Sequence, residues 1–142
     1  VGNGSGQVFK LDKSTLNNNG SAITNEIQTK DFTVEDLDKS VRTAVNELNA
    51  SLFEFFRVPQ LWLECKGQSV TTEYSVDGGL SWNPTQVGGT NTVTLSSVYD
   101  VYQQDLDAVC RKIRFKFLNT TASSGFSLRS FGFKYFPRST RK

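Results

Sequence analysis

Histidine and methionine are both absent from the 142 residues, cysteine occurs only twice, and no apolar run is long. Without histidine the chain lacks the commonest general base and metal ligand, so catalysis would have to rest on carboxylates, and these are scattered. No stretch approaches the roughly eighteen apolar residues of a membrane helix, and no charged-then-apolar leader resembles a signal peptide, so a soluble body with no membrane partner is expected. The missing methionine, together with the flexible opening Val1-Gly-Asn-Gly-Ser-Gly6, predicts a piece released from a longer polypeptide. Cys65 and Cys110 lack the C-x-x-C spacing and a histidine partner, which gives zinc or redox-motif chemistry little support. Buried free thiols are expected, and a single disulfide only in an oxidising compartment. The sequons at Asn3, Asn19, Asn49 and Asn119 read as chance matches, because no secretion signal accompanies them. No metal, cofactor or catalytic residue is expected.

What is present is one domain's worth of globular material: 37% hydrophobic, 12% aromatic and 21% charged, enough for a real core. Its charge is sorted. From residue 111 to 142 there are nine basic residues and no acidic one, whereas residues 1–110 carry seven basic residues and all fourteen acids. A net charge of +2 therefore hides a strong dipole, which points to an acidic partner surface, either nucleic acid or the acidic half of another copy. Lys112, Arg114, Lys116, Arg129, Lys134 and Arg138 are the candidate interaction residues of the basic third. Set against this, Lys112, Arg114 and Lys116 also fit the solvated side of an amphipathic strand.

The chain is organised around Val70 to Trp82. Val70, Thr72, Tyr74 and Val76 alternate with Thr71, Glu73 and Ser75, the period of a half-buried strand, and Asp77-Gly-Gly79 then stops it. Ser75-x-Asp77-x-Gly79-x-x-Trp82 resembles the Asp-box, S-x-D-x-G-x-x-W, of sialidase-like propellers, lectin-like domains and phage tail proteins. That resemblance implies a structural staple: the aspartate caps turn amides, the glycine permits the bend, and the tryptophan plugs the turn against its sheet.

Strands are expected at Gln7 to Leu11, Ala22 to Thr29, Leu61 to Lys66 and Thr92 to Ser97. The Leu61 and Val70 strands are expected to form a hairpin through Gly67-Gln68. Thr33-Val-Glu-Asp36 reads as a capped helix start, and Leu37, Val41, Ala44, Val45, Leu48 and Leu52 follow at helical spacing, predicting a helix over 34–52. Val98 to Val109 reads as a crossing loop or short helix. Ile113, Phe115 and Phe117 face one way, and Phe126 and Leu128 are one residue out of phase with Phe131, Phe133 and Tyr135, which predicts a β-bulge near Arg129-Ser130. The expectation is a mainly β fold, an antiparallel sandwich or propeller-blade-like sheet with one helix. Residues 1–6 would be a linker, 7–136 the domain and 137–142 a basic tail.

Gly6-Gln-Val-Phe-Lys-Leu-Asp12, Thr29-Lys-Asp31-Phe32, Tyr74-Ser-Val-Asp-Gly-Gly79 with Trp82, and Arg111-Lys-Ile-Arg-Phe-Lys-Phe117 together resemble segments of tail and neck proteins of tailed bacteriophages. The resemblance departs at Val34 to Phe56, where those proteins more often go quickly into a strand. It implies a non-enzymatic virion component, assembled in the host cytoplasm, whose partners are other copies and other virion proteins. DNA could be met through the basic third. A carbohydrate- or receptor-binding module is the alternative, with Trp62, Trp82 or Tyr99 as a stacking platform. A glycosidase would need two of Asp77, Asp100, Asp105 and Asp107 paired across a cleft, which the sequence does not pair.

Overall fold

The computed structural model describes residues 17–18, 21–22, 24–37, 55–85, 90–120 and 125–138. The expected linker, the strand at Gln7 to Leu11 and residues 38–52 of the expected helix lie outside them. Two antiparallel sheets pack face to face, as the alternating patterns require. A separate short ladder joins β1 (Asn17–Asn18) to β2 (Ser21–Ala22).

The six-stranded sheet is built on β10 (Lys112–Asn119). On one side β10 pairs with β3 (Asn25–Gln28) and β4 (Phe32–Thr33), and on the other with β6 (Ser69–Ser75). Strand β6 in turn pairs with β7 (Asn83–Pro84) and β8 (Thr92–Thr94). The three-stranded sheet runs β11 (Phe126–Arg138), β5 (Phe55–Gly67), β9 (Asp100–Cys110). Strand β11 thus runs two residues further than the expected domain boundary.

Period-two patterning decides what lies between the sheets. Ile113, Phe115 and Phe117 point inward from β10, and Val58, Leu61, Leu63 and Cys65 from β5, all with 0% exposure. Aromatic rings from β11 close the gap: Phe133 lies 5.2 Å from Phe115 and 5.3 Å from Phe32, and Phe131 lies 5.5 Å from Phe117. These pairs are tilted, at 48–59° between ring planes, which avoids the face-to-face sandwich that ring quadrupoles disfavour. The expected bulge is present: Leu128 pairs with Cys65 and Ser130 with Glu64, so two residues of β11 span one of β5, and Phe131, Phe133 and Tyr135 return to the core.

Two expectations change. The Leu61 and Val70 strands do not form a hairpin; β5 and β6 belong to different sheets. Gly67, at φ 138°, turns the chain from one sheet to the other, and a Cβ there would sit 2.4 Å from the Gly125 carbonyl oxygen. The corner is tied by Gly67 N–H to Ser96 O and Gln68 N–H to Gly125 O, both 2.9 Å. Residues 100–110 are neither loop nor helix but a strand, β9, with Gln104, Leu106, Ala108 and Cys110 buried and Gln103, Asp105, Asp107 and Val109 exposed. Of the expected helix, the described residues contain one turn, α1 (Val34–Leu37). Asp36 Oδ2 caps it by accepting from the Thr33 N–H at 3.0 Å and the Thr33 hydroxyl at 3.2 Å, and Tyr135 donates its hydroxyl to the Leu37 carbonyl at 2.9 Å.

Candidate functional site

The outer face of the six-stranded sheet carries the turn that follows β6. Ser75 is fully buried; its hydroxyl donates to Asp77 Oδ1 at 2.6 Å and accepts from the Gly79 N–H at 2.9 Å. Asp77 Oδ1 also accepts from the Leu80 and Ser81 amides at 3.0 and 2.9 Å, and Oδ2 from the Ser81 hydroxyl at 2.5 Å. Those bonds, led by the Ser75 and Ser81 hydroxyls, hold the Asp77 carboxyl well below the usual carboxylate range. Gly78 and Gly79 take φ of 79° and 91°, which only glycine adopts readily. Trp82 lies beside Gly79 on the outer surface, with the Lys116 ammonium 4.3 Å from its ring centre.

The six candidate basic residues fall on two different faces. Lys112, Arg114 and Lys116 project from β10 on the outer side of the six-stranded sheet, and each is engaged locally. Arg114 holds Asp31 in a two-pronged pair, Nε to Oδ1 at 2.8 Å and a terminal nitrogen to Oδ2 at 3.0 Å, which lowers the Asp31 pKa and raises that of Arg114. Lys116 Nζ stands 2.5 Å from Glu73 Oε2, off the ideal hydrogen-bond direction, so charge rather than a directed bond satisfies that oxygen. Lys112 Nζ lies over Gly78, near enough to Asp31 to help lower its pKa.

Arg129 and Lys134 are exposed on β11, at the margin of the other sheet, and Arg138 ends that strand. Arg129 reaches Glu64 Oε1 at 3.0 Å and lies 4.0 Å from the ring centre of Tyr99, which Lys66 also approaches at 4.8 Å. Lys134 lies 5.1 Å from the ring centre of Phe136. On the opposite margin, Asp107 of β9 receives the Arg57 Nε at 2.6 Å, and Asp105 Oδ1 receives the Gln103 amide at 3.0 Å.

Between these margins, the outer face of the three-stranded sheet has Trp62 at its centre. The strand register sets Gly132 of β11 on one side of it and Gln103 of β9 on the other. The indole is partly exposed, and nothing lies within 4 Å of where a Gly132 Cβ would stand. Sequence reading singled out Trp62 but missed Gly132 and Gln103, because only the register makes them neighbours.

Asp77 serves its turn, Asp100 Oδ1 accepts its neighbouring Val101 amide at 2.8 Å, Asp105 stands on an exposed strand, and Asp107 lines a cleft with Arg57, Val109 and Phe136 but no second carboxylate. A cleft of about 540 Å³ at one end of the sandwich is lined by Thr33, Phe55, Val76, Val109, Cys110, Arg111 and Lys112, with no carboxylate among them. Among the described residues, no group of three or more His, Cys, Asp or Glu could hold a metal ion, and no helix is long and apolar enough to cross a membrane. Cys65 and Cys110 are free and buried, with burial pushing their thiols up to about 11 and about 12. They flank opposite ends of β5, since Cys110 pairs with Phe56, nine residues from Cys65 and so about 30 Å away, well beyond disulfide reach. Buried polar contact between the sheets comes from Thr85, whose hydroxyl touches that of Thr72 and lies 3.3 Å from Gln104 Oε1. Compared with protein-family models, curated proteins and solved structures, the chain matches none.

Proposed function

We propose that this chain is a non-enzymatic assembly module whose copies join unlike edge to unlike edge, as a structural component of a phage tail or neck. One observation carries the reading: the three-stranded sheet ends in two long strands of opposite charge. Strand β9 holds Asp100, Asp105 and Asp107 and no basic residue, whereas β11 holds Arg129, Lys134 and Arg138 and no acid. Among the described residues neither strand has a partner on its outer side. Exposed edge strands present unpaired amides and carbonyls and are ready templates for strand addition. An acidic edge repels its own kind and attracts a basic one, so β11 of one copy suits β9 of the next, a heterologous contact that closes into rings or runs into filaments. The local ion pairs of Arg114 and Lys116 leave the face of the six-stranded sheet less attractive to DNA, which supports protein over nucleic acid as the partner. The setting in a virion rests on the resemblance of the sequence segments to tail and neck proteins.

Charge exchange tests this directly. Lys134→Glu and Asp105→Lys should each lower the sedimentation-derived mass of the assembled protein. Mixing the two variants should restore a hetero-oligomer, because the unaltered basic β11 of the Asp105→Lys protein then meets the unaltered acidic β9 of the Lys134→Glu protein. Equal masses for both variants and the parent would overturn the edge-to-edge reading.

A further inference from the structure

The two tryptophans differ in a way that bears on ligand binding. Trp82 has a lysine ammonium over its ring and belongs to the turn, whereas Trp62 stands in a sheet face with open space beside it. On β5 its same-face neighbours are Gln60 and Glu64, and across the strands Gly132 and Gln103. Gln60 and Gln103 both donate amide hydrogens to Asp105 Oδ1, at 3.5 and 3.0 Å. Their amide oxygens, Asp105 Oδ2 and the indole N–H have no partner among the described residues. Glu64 is held still by Arg129 at 3.0 Å and by the Ser130 hydroxyl at 2.9 Å.

We infer that this face is a binding platform for a neutral glycan, with one sugar ring stacked on the Trp62 indole in the notch above Gly132. A pyranose offers an apolar face of C–H groups and a rim of hydroxyls. The indole supplies a flat apolar surface of matching width, and the Gln60–Asp105–Gln103 chain supplies fixed acceptors and donors for the rim. Three features argue against other occupants. A protein interface centres on several apolar residues, but here the indole is ringed by amides, a carboxylate and a glycine. A nucleic acid would bring phosphates toward Asp105, which repels them, and Arg129 is already paired with Glu64. The missing side chain at Gly132 leaves the cross-strand side of the indole uncovered, where any other residue would place a side chain. The platform shares Asp105 with the acidic edge strand, whereas Trp62 stands on the central strand, so a Trp62 variant separates sugar binding from the proposed edge pairing.

An array of immobilised neutral oligosaccharides, probed with the whole chain, tests this. The parent protein should be retained on at least one hexose oligosaccharide, and that sugar should shift its tryptophan fluorescence on titration. Trp62→Ala should lose about tenfold or more in affinity, the scale of one stacked ring. A Cβ at Gly132 meets nothing within 4 Å, so Gly132→Val places its branches beside the indole without a backbone clash and should lose binding with little change in melting temperature. Trp82→Phe should bind as the parent does. An array with no neutral sugar retained, binding by Trp62→Ala or Gly132→Val equal to the parent's, or a change of assembled mass in Trp62→Ala would overturn the assignment.

Discussion

Glycine 67 is where one residue carries the most of the fold. A side chain there would meet the Gly125 carbonyl oxygen at 2.4 Å and would have to adopt a φ of 138°. Backbone strain of that kind costs about 1–3 kcal/mol by itself. Gly67→Ala should therefore lower unfolding free energy by about 2 kcal/mol or more in urea titration, and Gly132→Ala, with open space around it, by less than about 1 kcal/mol. Gly67-Gln68 between two alternating strands has the composition of a hairpin turn. Nothing in the two residues distinguishes a hairpin from a corner between sheets. That distinction comes from Ser96 and Gly125, which accept the corner's two amides and are far away in sequence. By contrast, the roles of Ser75, Asp77 and Gly79 were legible because every bond of that turn is made within a few residues.

At the scale of the element, β11 shows how far periodicity alone can reach. Its phase slip between Leu128 and Phe131 implied an extra residue, and the register has one there. Deleting Arg129 should remove the bulge and leave Phe131, Phe133 and Tyr135 facing inward, so the variant should fold with modest loss of stability. Deleting Gly132 instead flips either Phe131 or Phe133 and Tyr135 out of the core, and large-to-small core losses run to about 3–5 kcal/mol per aromatic. Circular dichroism melts of the two deletions should differ accordingly; equal melts would mean that the aromatic phase does not control the strand. Strand β9 escaped the same reading because its contrast is low. Its buried side includes Gln104 and Ala108, and its exposed side includes Val101 at 61% and Val109 at 43% exposure. Polar Gln104 is tolerated inside because Thr85 from the opposite sheet meets it, a contact no local pattern encodes.

For the whole molecule, titration should limit stability from both sides. Asp77, Asp31 and Asp36 are held below their ordinary values, chiefly by Ser75, Arg114 and Lys30 respectively. Their contribution is present above the unfolded carboxylate value near 4 and is lost as pH falls through the lower folded values. Cys65 and Cys110 act in the opposite sense. Their folded values are raised to about 11 and about 12, so the folded state holds its protons where unfolded thiols, near 8.5, have lost them. Stability is then whole below the unfolded value and declines as pH rises through the folded ones. Melting temperature should be flat from pH 5 to 8, fall below about 4 and fall again above about 9. Cys110→Ala should blunt the alkaline fall, and Asp77→Asn the acid one; an unchanged profile in both would remove these groups as the cause.

Within the described residues the chain passes between the sheets at Gln68, after β5, again between Thr94 and Asp100, and at Arg111, after β9; the first two crossings lie at the end of the body opposite the third. Two boards nailed at both ends cannot be opened like a book from either one. A load drawing the sheets apart must rupture the aromatic layer all at once, so the same stitching that closes the sandwich resists its being pried open.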